Sequence, residues 1–259
     1  GWFYRIPVAI HESDAIPGKT NAASARFAKR IFVSFAEAAK RFAGKNVQVT
    51  GNPVRAELLE NRTTPELAKE SLGFSSSHPL LVIVGGSQGS LRINNFILEI
   101  LPQIVAETQV LHQTGIANFL EAQKLSHAAL IDAPATANRY LPVNYLTDKY
   151  ATALTAADVV LARPGSNVFE IAAFGKPAIL IPIAESANGH QRANAYAFAG
   201  TGAGIVIEEA NLLPGIFLSQ LKDILADGDR RARMAAASAK FFVPHAAETI
   251  AEELIKLGA

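Results

Sequence analysis

Apolar runs of strand length alternate with amphipathic stretches of helical period along most of the chain. In the first block, residues 7–10, 31–34 and 47–49 read as strands, with an Ala-rich helix over 21–29 and a shorter one over 36–42. A connector follows, GNPVRAELLENRTTPELAKESLGFSSSHP, in which Thr64 can cap a helix that has Pro65 at its first position. The second block is more regular. Strands are predicted at 80–84, 109–112, 143–146, 159–162, 178–183 and 204–207, and helices at 93–101, 117–125, 149–157, 167–174 and 191–199. The final stretch, after residue 207, reads as helix. Apolar strands spaced by helices form βα units on parallel sheets covered on both faces, so the expected class is α/β.

Composition and charge narrow the function. Of 259 residues 49% are hydrophobic and 18% charged, which supplies enough apolar surface to offset chain entropy and excludes a disordered chain. There is no cysteine, hence no disulfide framework and no thiolate metal site. No apolar run approaches the ~20 residues of a membrane-crossing helix. A net charge of +1 gives no reason to expect a nucleic-acid partner. The charge is nevertheless uneven: residues 1–55 hold nine Lys/Arg against three acids, a surplus of six, which leaves −5 for the remainder. Such a basic block suits an anionic partner, phosphate or a lipid surface, or else is a solvated helix face rich in Lys. The change of sign coincides with the Pro- and Ser-rich segments GNP and FSSSHP. Two domains are therefore expected, 1–55 and 79–243, with a connector at 56–78 and a last helix in 244–259 free to pack on either. The chain opens GWFYRIPVAIHESD, with no initiator Met and almost directly in a strand, so a preceding segment is expected and the first domain is read as incomplete.

Residues able to do chemistry gather in the loops that follow strands. LLVIVGGSQGS runs an apolar strand into Gly85, Gly86, Ser87, Gln88 and Gly89 ahead of a helix pattern. Glycines let the backbone turn tightly and approach a ligand, and a helix N-terminus offers free N–H groups and partial positive charge to phosphate. The run is neither a P-loop nor the GxGxxG fingerprint, and alone it also reads as a tight turn without a ligand. After strand 159–162 come Arg163, Pro164, Gly165, Ser166 and Asn167, with Glu170 one turn into the next helix. A carboxylate there can accept both hydroxyls of a ribose, or is an ordinary first-turn acid favoured by the helix dipole. A third such loop is Asn188-Gly189-His190-Gln191-Arg192-Ala193-Asn194. In open parallel sheets ligands sit beyond the carboxyl ends of the strands, which is where all three loops fall. The first block adds HESDAIPG at 11–18 and GNPVR at 51–55. His11 and Glu12 are candidate acid–base groups or a structural pair, and Arg55 can fork onto a phosphate or pair with a carboxylate. HExxH does not occur and the six histidines are scattered, so zinc- and serine-hydrolase readings have no support.

Taken in order, HESDAIPG, GNPVR, VIVGGSQGS, RPGSN with its following Glu, FGKPAILIPI and GHQRANA resemble the successive motifs of the MurG family, over about residues 5–257. The resemblance implies the GT-B fold, two Rossmann-like domains with parallel sheets facing a cleft, the first incomplete here. It implies an inverting transferase that moves N-acetylglucosamine from UDP-GlcNAc to lipid-linked muramyl pentapeptide, lipid I to lipid II, in peptidoglycan biosynthesis. The family's setting implies a peripheral protein at the cytoplasmic face of the cell membrane, with an anionic inner-membrane surface as partner and no nucleic acid, metal or cofactor. Residue by residue, the resemblance sets Gly86, Ser87 and Gln88 by the donor pyrophosphate and has Arg55 reach the donor from the interdomain side. Glu170 takes the ribose hydroxyls, Gly165, Ser166 and Asn167 line phosphate and ribose, and Gln191 touches the sugar hydroxyls. The backbone of Leu146 reads uracil, and Asp14 meets the donor sugar. The family's opening GGTGGH loop, with its favoured catalytic base, is not in this sequence, which leaves His11 and Glu12 as the candidates within it. Asp14 stands where many members carry Asn, and RPGSNVFE is one residue shorter than the usual motif. The alternatives are another GT-B UDP-sugar enzyme, a lipid galactosyltransferase or UDP-GlcNAc epimerase, and a nucleotide-sugar-binding module without turnover.

Overall fold

Two parallel sheets organise the molecule, a computed structural model that describes residues 6–60, 62–86, 88–184 and 189–258. The first contains β1 (Ala9–Glu12), β2 (Arg30–Val33) and β3 (Val47–Val49) in that spatial order. Its crossovers are α1 (Lys19–Ser24) and α2 (Ala36–Ala39), the latter running on into a 3-10 turn, Lys40–Phe42. The connector forms α3 (Ala56–Leu59) and α4 (Pro65–Ser71). Thr64 caps α4 by accepting from the Leu67 N–H, with Pro65 spending no needed donor at the first position.

The second sheet contains β4 (Leu80–Val84), β5 (Gln109–Gln113), β6 (Tyr140–Val143), β7 (Val159–Ala162), β8 (Ala178–Leu180) and β9 (Gly204–Val206). Their spatial order is β6-β5-β4-β7-β8-β9, with every pairing parallel. The intervening helices are α5 (Leu91–Glu99), α6 (Leu101–Glu107), α7 (Phe119–Ala129), α8 (Tyr150–Ala156), α9 (Asn167–Ala173) and α10 (His190–Ala199). Three more close the chain: α11 (Pro214–Ala226), α12 (Gly228–Phe241) and α13 (Ala246–Gly258). The chain builds outward from β4 through β5 to β6, then returns to lay β7 on the other side of β4. That reversal opens a crevice beyond the carboxyl ends of β4 and β7.

Burial explains the unbroken apolar strands. All five residues of β4 are buried, Leu80, Val82 and Val84 in one core and Leu81 and Ile83 in the other, because helices cover both faces. The first of these cores also takes in Ile31, Val33 and Phe35 of the first block. Phe35 meets Phe169 edge-on at 4.9 Å, and Phe241 stacks on Phe169 at 5.4 Å and meets Phe198 at 5.1 Å. Each such pair adds about 0.5–1.5 kcal/mol beyond area burial, so the aromatic chain fastens one sheet to the other. At the far end Arg30, at the start of β2, pairs with Glu253 of α13, which brings the last helix back to the first sheet.

Three expectations shift. The first strand runs through His11 and Glu12, which pair with Phe32 and Val33 of β2, so those two residues belong to strand and not to loop. The strand expected at 143–146 is Tyr140–Val143, and Leu146 lies in the loop after it. Pro142 hides the strand from a pattern reading, and it is tolerated because β6 is a sheet edge, where a missing N–H costs little. The helix expected at 93–101 breaks at Ile100, and α6 begins with Pro102 in its first turn, where proline lacks the donor a continuous helix would need.

Candidate functional site

The crevice is shaped first by two loops pressed back to back. Gly89, after β4, and Gly115, after β5, have φ of +74° and +86°. A Cβ on Gly89 would fall 1.9 Å from the Thr114 carbonyl oxygen, and one on Gly115 would fall 2.0 Å from the Gln88 carbonyl oxygen. Only glycine fits either place. Gln113, the last residue of β5, then sets the spacing on the other side. Its amide donates to the Gly86 carbonyl at 2.8 Å and accepts from the Leu146 N–H at 3.0 Å. One buried side chain thus ties the glycine loop to the loop after β6.

Beneath them lies a neutral relay. Asn94 donates to the Thr114 carbonyl at 2.8 Å, and its side-chain oxygen lies 3.0 Å from His112 Nε2. An amide oxygen only accepts, so the imidazole proton is on Nε2 and Nδ1 accepts from the Tyr140 hydroxyl at 3.0 Å. Burial pushes the His112 pKa down to about 3 and that of Tyr140 up, so both stay uncharged.

The opposite wall follows β7. Asn167 accepts from the Gly165 N–H at 3.0 Å and closes the Gly165–Ser166 turn ahead of α9. Arg163 is buried at the base of that turn. It donates to the Ile181 carbonyl at 2.9 Å and to the Ser90 hydroxyl at 3.0 Å, and pairs with Glu209. Its guanidinium therefore binds the loops after β4, β7, β8 and β9 together, and its Nε is buried without a hydrogen-bond partner among the described residues. Burial favours the neutral form of Glu209, but hydrogen bonds from Arg163 and the Ala184 N–H outweigh it and hold the carboxyl below the usual range. Glu170, in the first turn of α9, accepts from the Tyr150 hydroxyl through Oε2 at 3.0 Å, and Arg55 Nη2 lies 3.9 Å from Oε1. Gln191 accepts from the Ile183 N–H at 3.1 Å.

These walls enclose a cleft of about 450 Å³. Of the residues expected at the donor, Arg55, Gly86, Leu146, Gly165, Ser166, Asn167, Glu170 and Gln191 line it. Gln88 is exposed and is not among the lining residues, and Ser87 lies outside the described residues. Asp14 sits apart, at the junction of the two sheets. It accepts from the Asn194 amide at 2.8 Å and lies 3.4 Å from His190 Nδ1. Asn194 is itself buried, accepts from the Ala15 N–H at 2.8 Å and reaches the Pro164 carbonyl at 3.3 Å, so it joins the 13–18 loop to the turn after β7.

His11 and Glu12 do not converge on one point. His11 Nε2 lies 3.2 Å from the Ser34 hydroxyl and 3.4 Å from the Gly51 carbonyl. Glu12 is buried and accepts from the Asp14 N–H, the Gly18 N–H and the Asn21 amide at 2.9–3.0 Å. Both of its oxygens are engaged in holding the 13–18 loop, which favours the structural reading of that residue. The sequence analysis assigns no role to Gln113, Gly115 or Tyr150, and places Arg163 and Asn194 in their loops without a role of their own. The rule that singled out the other loops would have found the first two, because Gln113-Thr114-Gly115 also closes an apolar strand. Tyr150 carried no signal beyond an aromatic near a helix start.

Chemically, the cleft offers glycine backbone and a capped helix start to an anion, two arginines, and a held carboxylate able to accept from a diol. The family model of the glycosyltransferase family 28 C-terminal domain matches residues 80–250. A protein of Anaeromyxobacter sp. (strain Fw109-5) is 34% identical over 99% of this chain. Another, of Treponema denticola, is 34% identical over 92% of it. Both are named UDP-N-acetylglucosamine–N-acetylmuramyl-(pentapeptide) pyrophosphoryl-undecaprenol N-acetylglucosamine transferase, and the chain spans 64% and 63% of their lengths. The crystal structure of Acinetobacter baumannii MurG superposes with a TM-score of 0.78 at 27% identity, over 98% of this chain and 68% of that one. UDP-GlcNAc 2-epimerase of Neisseria meningitidis shares the fold, with a TM-score of 0.66 at 14% identity over 98% of this chain and 71% of that one. The two-sheet arrangement is the GT-B fold, and the chain belongs to glycosyltransferase family 28, with residues 80–250 as its C-terminal domain.

Proposed function

We propose that the chain is the donor-binding part of an inverting glycosyltransferase that moves N-acetylglucosamine from UDP-GlcNAc to lipid-linked muramyl pentapeptide. The observation that carries this reading is the Glu170 carboxylate, held at the sheet's switch point opposite the glycine loop. A ribose there would give its two hydroxyls to Glu170 while the diphosphate lies against Gly86 and Gly165. The uracil would then fall toward Leu146 and the sugar toward Gln191. The same activity is in the names of the relatives.

In such a reaction a base takes the proton of the acceptor hydroxyl, whose oxygen bonds to the anomeric carbon as the bond to the diphosphate breaks. UDP leaves with the electron pair. Backbone N–H groups at the start of α5 and the Arg55 guanidinium would stabilise the charge growing on that leaving group. His11 is the candidate base on this chain's first sheet. The protein would work as a peripheral partner of an anionic membrane at its cytoplasmic face. Support comes from a groove of about 320 Å³ between α1 and the Lys40–Phe42 turn, where Ile16, Pro17 and Phe42 are accompanied by Arg26, Arg41 and Lys45. No helix among the described residues is long and apolar enough to cross a membrane.

The test is a donor panel. Calorimetry should rank UDP-GlcNAc and UDP above UMP and ADP, and product analysis with a lipid-linked muramyl acceptor should give glucosaminyl transfer. Equal affinity for ADP and UDP, galactose transfer, or release of free epimerised sugar would overturn the assignment.

A further inference from the structure

A carboxylate that must accept two hydroxyls at once has an orientation problem. Glu170 reaches the cleft on three side-chain torsions, and the last of these, about the carboxylate, is broad and nearly two-fold. Fixing a free Glu side chain costs rotamer entropy. If that cost fell at the moment of binding, it would come straight out of affinity for the ribose.

The neighbourhood of Glu170 removes much of that freedom beforehand. Tyr150, the first residue of α8, lies on the cleft wall with 6% of its surface exposed, so its two torsions are set by packing. Its hydroxyl donates to Oε2 of Glu170 at 3.0 Å. Burial and the adjoining carboxylate raise the Tyr150 pKa well above its ordinary value, so the donor proton stays in place. Arg55 faces the other oxygen, Oε1, at 3.9 Å, but its side chain is 65% exposed and is the weaker restraint. A carboxylate has about four lone-pair sites, so Oε2 can take the Tyr150 proton and still accept a second hydrogen bond.

We propose that Tyr150 is a positioning residue that presets the plane of the Glu170 carboxylate and thereby sets the preference of the cleft for ribonucleotide over deoxyribonucleotide donors. The proposal rests on the reading of Glu170 as the ribose acceptor. It gives Tyr150 no contact with the nucleotide. The effect on binding passes through Glu170 alone, which a merely structural tyrosine would not require.

The test is calorimetric titration of the full chain with UDP and with 2′-deoxy-UDP, on the parent, Tyr150→Phe, Glu170→Ala and the double variant. Tyr150→Phe keeps the ring and removes only the hydroxyl. The parent should prefer UDP, and Glu170→Ala should abolish that preference. Tyr150→Phe should weaken UDP roughly three- to tenfold, the net worth of about one hydrogen bond, and weaken 2′-deoxy-UDP, which keeps only the 3′ hydroxyl on Glu170, clearly less. In the Glu170→Ala background the same substitution should change neither affinity. If Tyr150→Phe weakens both nucleotides alike, or still acts without the Glu170 carboxylate, Tyr150 supports the wall and the proposal fails while the donor reading stands. A full UDP preference in Tyr150→Phe also overturns it. If Glu170→Ala keeps the preference, the ribose reading itself fails and the proposal with it.

Discussion

Alanine at Gly115 tests whether the back-to-back loops shape the cleft. The added Cβ would lie 2.0 Å from the Gln88 carbonyl oxygen, 2.4 Å from its carbon and 2.7 Å from the Gly89 nitrogen. All three are backbone atoms, so no flexible side chain can swing aside, and the glycine loop after β4 must move. Two costs add: about 1–3 kcal/mol for an L-residue held at φ +86° and ψ +149°, a region almost confined to glycine, and about 1–3 kcal/mol for overpacking. Gly73 separates them. Its φ is +85° against +86° for Gly115, yet a Cβ there meets nothing within 4 Å. Urea denaturation should therefore show Gly73→Ala losing about 1–2 kcal/mol and Gly115→Ala about 2–6 kcal/mol. In titrations with UDP, Gly73→Ala should bind like the parent. Gly115→Ala should bind roughly tenfold more weakly, the equivalent of one hydrogen bond to a charged group. Equal stability losses, with UDP affinity intact in both variants, would refute the steric argument.

His112 gives a pH signature. Its folded pKa of about 3 lies below the unfolded value near 6.5, so the unfolded chain binds the extra proton first and stability falls as pH drops through that window. From pH 7 to 5 the parent should lose about 2 kcal/mol more than His112→Gln in denaturant titrations, and parallel losses would contradict this. Glu12→Gln replaces an acceptor of three hydrogen bonds and should cost about 1–3 kcal/mol in stability while UDP affinity holds. Unchanged stability with lost transfer would return Glu12 to the chemistry. Co-sedimentation with anionic vesicles should weaken as salt rises, because exposed charge is screened, and equal recovery with neutral vesicles would refute a charge-driven contact.

The fold was legible wherever burial wrote a continuous signal. The strands at 80–84 and 159–162 are apolar at every position because both faces are covered, and their limits match the structure. Legibility fell where one residue carried two meanings. Pro142 argued against a strand that an edge position permits, and His11 and Glu12 read as loop chemistry although both pair with β2. In the cleft, the loops themselves were visible from the strand-then-glycine pattern. What the pattern could not convey is contact across distance in sequence. Gln113 bridges Gly86 and Leu146, Arg163 gathers four loops, and Asn194 spans 179 residues to Ala15. Such partners are set by topology and not by local spacing.

The central claim is that the cleft between the glycine loop and α9 holds a uridine nucleotide with its ribose on Glu170. A crystal structure of this chain grown with UDP tests that most directly. The account predicts the diphosphate against Gly86 and Gly165, the uracil near Leu146, and both ribose hydroxyls within hydrogen-bond distance of the Glu170 carboxylate, with Tyr150 still donating to Oε2. UDP seated elsewhere on the molecule, or in this cleft with its ribose away from Glu170, would contradict it.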